Sequence, residues 1–138
     1  MGNHKADSKN YLRRSMQKEA GSNQLRKMLR SLVQRLSLCI TLQRTLQIPI
    51  GVITCAWGGS RVEGWLPKEI LQTYKDEDLT LIGSDKTPVY LQSMLMYNGI
   101  LYPCHKYTIK GFIWYQGESN VRSSRTYAER LATMVKHW

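Results

Sequence analysis

Residues 110–120, KGFIWYQGESN, constrain the fold more than any other stretch, because an apolar run of strand length stops abruptly in amide, carboxylate and hydroxyl side chains. In open α/β sheets the C-terminal ends of strands face the crevice where ligands bind, so a strand that ends in polar groups is a natural place for chemistry. Residues 48–65, IPIGVITCAWGGSRVEGW, repeat the design: a proline, an apolar run, then a Gly-Gly turn with polar and charged residues beyond it. The run 50–56, bounded by Pro49 and Gly58-Gly59, and the run 108–115 are therefore expected as two buried parallel strands of one sheet. A helix is expected near 67–74, followed by an irregular region through Asp76-Glu77-Asp78 and Gly83-Ser84-Asp85. Across residues 124–137, Tyr127, Leu131 and Met134 fall at helical intervals, which predicts the helix leaving the second strand.

Charge divides the chain. Of its net +10, residues 1–47 carry +8 and the remainder +2. Before Pro49 the only aromatic residue is Tyr11, whereas the four tryptophans lie at Trp57, Trp65, Trp114 and Trp138. Residues 1–37 thus read as a basic leader, disordered over about the first two dozen positions and then helical, since Leu25, Met28, Leu29, Leu32, Val33 and Leu36 are spaced as on one helix face. That helix is expected to cover one face of the sheet with its charged side in water. The leader has no interleaved aromatics for base stacking, so nucleic acid is not the expected partner. No apolar h-region follows the early charges, and no run approaches the roughly 20 apolar residues of a membrane span. Cys39, Cys55 and Cys104 are widely spaced, without a C-x-x-C or a histidine pair, so no metal site is expected.

Four groups of residues carry a family resemblance: Ile48-Pro49-Ile50-Gly51-Val52-Ile53; Trp57-Gly58-Gly59-Ser60 with Glu63 and Trp65; Tyr97-Asn98-Gly99-Ile100 with Pro103; and the stretch from Lys110 to Asn120, which ends in the WYQGESN block. In order and spacing they resemble the interior of the SGNH-hydrolase superfamily, in its sialate O-acetylesterase and acetylxylan-esterase-like branch. The resemblance implies an α/β fold, a three-layer α/β/α domain with a parallel sheet, represented here only in part by residues 38–138. It also implies a serine esterase that hydrolyses O-acetyl esters on a carbohydrate through an acyl-serine intermediate, with no metal or organic cofactor. Its substrate would be an O-acetylated sugar, and its members are often secreted, periplasmic or lysosomal, a compartment these residues do not fix.

By the same resemblance, Gly58 or Gly59 supplies a backbone oxyanion donor, and the amide of Gln116 or Asn120 a second, Gln116 being favoured because it directly follows the strand. Trp57, Ser60, Glu63 and Glu118 are candidates for substrate binding. Glu63 and Glu118 invite a paired-carboxylate reading, but Glu118 is expected to tie its own loop together through backbone N–H groups. Ser119 lacks the second glycine of a nucleophile elbow, Val121 standing in its place.

The triad itself is missing from the pattern. The family's nucleophile lies in Gly-Gln-Ser-Asn and its Asp and His in Asp-x-x-His, and neither occurs here. Gly21-Ser22-Asn23-Gln24 has similar letters in another order without a preceding strand, and none of His4, His105 and His137 follows an aspartate by three residues. The expectation is a fragment of an esterase domain, inactive alone, whose leader is either out-of-frame translation or a divergent extension. The alternative is a catalytically inactive carbohydrate- or nucleic-acid-binding module using the basic leader.

Overall fold

The computed structural model describes residues 22–138. The expected disordered stretch lies outside them except for its last residues, which are helical. Helix α1, Ser22–Leu46, extends the predicted amphipathic helix at both ends. Ser22, Asn23 and Gln24 are its first turn, not a loop after a strand. It ends where local chemistry ends helices: Gln47 takes a left-handed φ of 54° and donates its N–H to Gln43 O, and Pro49 follows. α1 does not cover a sheet, because Val33, Leu36 and Leu46 are exposed by 61%, 49% and 52%. No described helix is long and apolar enough to cross a membrane.

Beyond α1 the chain runs without regular structure to a turn at Gly58-Gly59 and then enters the fully buried 3-10 turn Val62–Trp65. The helix expected near 67–74 is the short α2, Lys68–Leu71, with two further turn hydrogen bonds at Thr73 and Tyr74. Two 3-10 turns, Leu79–Leu81 and Val89–Leu91, lead to a π-helical turn at Tyr97–Leu101 and the 3-10 turn Tyr102–Cys104. After the second extended segment, the 3-10 turn Glu118–Ser123 runs directly into α3, Ser124–His137, with the predicted bounds.

The core is small and centred on the Val62–Trp65 turn, on which both α3 and Tyr97–Leu101 pack. Val62, Trp65, Leu66, Leu71, Leu95, Met96 and Met134 are buried in it, each large side chain contributing about 1.5–3 kcal/mol by leaving water. Trp114 anchors the second extended segment by edge-to-face contacts with Trp65 and Trp138, at centroid separations of 6.0 and 5.7 Å.

The expected parallel sheet is the main correction. Among the described residues there is no β-strand: 50–56 and 108–115 are extended but pair with nothing. Ile113 and Tyr115 are 60% and 85% exposed, and Val52, Ile53, Ile109 and Phe112 nearly half exposed. The reason is that β structure is a property of pairs. A parallel strand is completed by ladder partners and by helices over both sheet faces, and an apolar run specifies extended backbone without supplying either.

Candidate functional site

The two motifs meet at their polar ends. Gly59 turns the chain with φ +76°, and a Cβ there would stand 3.2 Å from the ring of Tyr90, so the turn depends on glycine for both conformation and space. Ser119 Oγ donates to Gly59 O at 2.6 Å, and Gln116 Nε2 donates to Ser60 O at 2.8 Å. Side chains of the second motif thus grip consecutive carbonyls of the first. The N–H groups of Ser60 and Arg61 are turned inward, to Trp57 O and Tyr90 O. Among the described residues no hydrogen bond engages the N–H of Gly58 or Gly59, and both glycines are exposed.

Ser60 is a structural residue, 4% exposed. Its hydroxyl donates to Trp57 O and accepts from Trp65 Nε1, both at 2.9 Å. This corrects the expectation that it contacts substrate. Trp57 packs against the core, half-buried.

Beneath the rim runs a buried polar chain. Gln116 Nε2 also donates to Asn120 Oδ1 at 2.8 Å, and that oxygen accepts the Val62 N–H at 2.9 Å. Asn120 Nδ2 donates to both carboxylate oxygens of Glu63, at 3.2 and 2.9 Å. Glu63, 0% exposed, is paired with Arg130, 2% exposed, whose other nitrogen reaches Asp76 at 2.7 and 2.6 Å. Glu77 joins through Arg61 at 2.8 Å and Arg130 at 3.4 Å and accepts the Ser93 hydroxyl. Burial alone would raise the Glu63 pKa; the hydrogen bonds from Asn120 and Arg130 outweigh it and hold the carboxyl below its ordinary value of 4.5. Burial likewise works against the Arg130 cation, and Glu63 and Asp76 raise its pKa despite it.

Three further expectations change here. Glu63 cannot bind a dissolved sugar, because its oxygens are buried and occupied. The carboxylate that ties the loops together is Glu63, not Glu118, which is exposed and forms no hydrogen bond among the described residues. The two amides also separate. Asn120 is buried and fully committed, so it has no N–H for an oxyanion. Gln116 is half-buried with both N–H groups engaged; its two neighbours there are oxygens, which fixes the amide orientation and leaves Oε1 buried without a partner. Tyr127 OH donates to Gln116 O at 2.8 Å, fixing the backbone at the same point. Trp114, Tyr115, Gln116, Gly117 and Glu118 line a shallow open depression of about 300 Å³ beside this junction.

Arg130, Asp76, Glu77 and Arg61 were not singled out in the sequence. Arg130 left one readable trace: it falls three residues after Tyr127 and four before Met134, inside the apolar stripe of α3, where an unpaired cation would be intolerable. No group of three or more His, Cys, Asp or Glu among the described residues is placed to hold a metal ion.

The family profile for carbohydrate esterases described as sialic acid-specific acetylesterase matches residues 34–138. Sialate O-acetylesterase of Homo sapiens is 31% identical over 95 residues, which cover 68% of this chain and 18% of the relative. The Pongo abelii enzyme of that name is 30% identical over the same extent, and that of Mus musculus 25% identical over 121 residues covering 22% of its length. The chain therefore spans about a fifth of the length of these relatives. No solved structure matches it significantly. With the Gly-Gly turn clamped by the WYQGESN block and the match running through both, the chain belongs to the sialic acid-specific acetylesterase family of carbohydrate esterases, in the SGNH superfamily.

Proposed function

We propose that this chain forms the oxyanion side of the active-site rim in a serine esterase that removes O-acetyl groups from a sugar, sialic acid being the one its relatives' names indicate. The carrying observation is the clamp on the Gly59 and Ser60 carbonyls, which leaves the Gly58 and Gly59 N–H groups uncommitted at an exposed turn. When a serine attacks an acetyl carbonyl, negative charge develops on the carbonyl oxygen, and preorganised backbone N–H groups stabilise it without reorganising. Gln116 adds a donor when one of its N–H groups leaves the Ser60 carbonyl for the oxyanion. Asn120, Glu63 and Arg130 hold the loops in place beneath. The serine, and the Asp and His that activate it, come from sequence other than this chain, in a parallel sheet that the two extended segments join as strands.

Two measurements test this reading. The isolated chain is expected to show no turnover of an aryl acetate or an O-acetylated sialic acid; turnover abolished by Ser22→Ala would place a nucleophile in α1 and overturn it. With residues 48–120 grafted into a complete enzyme of the family, Gln116→Ala is expected to lower kcat roughly a hundredfold, the effect of losing one oxyanion donor. A change confined to KM would show that Gln116 only binds substrate.

A further inference from the structure

Cys55 and Cys104 lie far apart in sequence and together in space. Cys55 sits on the first extended segment, just before Trp57 and the Gly-Gly turn, and Cys104 closes the Tyr102–Cys104 turn. Both thiols point at one backbone oxygen, Ile100 O, with Sγ to O distances of 4.0 Å for Cys55 and 3.6 Å for Cys104. Each is half-buried and free. We propose that Cys55 and Cys104 are a redox pair that closes to a disulfide by exchange with a low-molecular-weight disulfide, locking the segment that leads into the Gly-Gly turn onto the turn at 102–104.

The chemistry has a preferred order. Burial, with Cys104 beside it, pushes the Cys55 thiol up to about 11, while Arg35 of α1 pulls slightly the other way. Cys55 is therefore protonated at neutral pH and is the resolving thiol. The Cys104 sulfur, its proton lost to solvent, attacks one sulfur of the small disulfide; that S–S bond breaks, and the first small thiolate leaves and is protonated. Cys55 then gives up its proton and attacks the Cys104 sulfur, forming the protein disulfide and expelling the second small thiolate, which is also protonated. Two protein thiols are oxidised and one small disulfide is reduced to two thiols. Cys39, on α1, takes no part.

The closed bond ties two loops distant in sequence, and cross-linking distant residues stabilises chiefly by restricting the unfolded chain. The test is incubation of the purified chain with oxidised glutathione, then thiol counting, intact mass, peptide mapping and urea denaturation. The expected result is a fall from three free thiols to one, a mass lower by two hydrogens, a Cys55–Cys104 linked peptide and a higher urea midpoint. Cys39→Ser should give a fall from two free thiols to none and leave the linkage and the shift in midpoint unchanged, and Cys104→Ser should abolish both. Stable glutathione adducts on Cys55 and Cys104 without an internal bond, or a linkage through Cys39, would overturn the proposal.

Discussion

Replacing Arg130 by Met should destabilise the chain by about 3–5 kcal/mol, the usual cost of removing one partner from a buried ion pair. Methionine retains most of the volume of the arginine stem, so the loss is electrostatic. Glu63, at 0% exposure, would keep its charge without its cation and with only the Asn120 amide and the more distant Arg61 nearby. The contact with Asp76 adds little, because that carboxylate is 61% exposed and screened by water. Trp65, Trp114 and Trp138 surround the same core, so urea unfolding followed by tryptophan fluorescence reads the change directly. The double variant Glu63→Leu with Arg130→Met separates charge from packing: removing both charges should recover most of the loss, as replacing a buried pair with apolar groups often does. A single Arg130→Met variant within about 1 kcal/mol of the parent would mean that Glu63 is not the buried anion described here.

How much of this could be read in advance differs by element, for physical reasons. Helices are made of local contacts, so the spacing of Tyr127, Leu131 and Met134 was enough to place α3, and the stripe from Leu25 to place α1. The two rim motifs were legible because glycine turns and abrupt changes of polarity are also local. The sheet was not, since β structure needs ladder partners, and among the described residues 50–56 and 108–115 have none. Amide roles were hidden for a related reason. Gln116 and Asn120 offer the same amide, and position alone favours Gln116; only the three-dimensional path from Val62 N–H to Glu63 shows that Asn120 is consumed internally. Glu63 was misread as facing substrate because its cation lies on a helix far downstream, a pairing that sequence spacing cannot reveal.

Asn120→Asp should be nearly as damaging, by roughly 3–5 kcal/mol at pH 7, with a distinctive dependence on acid. The substitution keeps Oδ1, which accepts from Val62 N–H and Gln116, but turns the donor facing Glu63 into a second carboxylate oxygen. Two buried carboxylates in contact cannot both ionise, so at neutral pH one must bind a proton well above its ordinary pKa or the loops must part. The sign follows from linkage. In the parent chain the folded Glu63 pKa lies below the ordinary 4.5, so its contribution to stability is complete above that value and is lost as pH falls through the folded pKa. In the variant the pair's folded pKa is raised, so its penalty is full at neutral pH and fades as acid supplies the shared proton. Between pH 7 and about pH 4 the variant's curve should therefore rise toward a nearly level parent curve, because the parent's own loss begins only below 4.5. Asn120→Ala adds no charge; it leaves Val62 N–H and Gln116 short of an acceptor, at about 1–3 kcal/mol for a buried unsatisfied group, and its gap from the parent should narrow less. A constant gap between parent and Asn120→Asp over that range would show that residue 120 does not face Glu63, and the buried chain linking the WYQGESN block to α3 would then have to be redrawn.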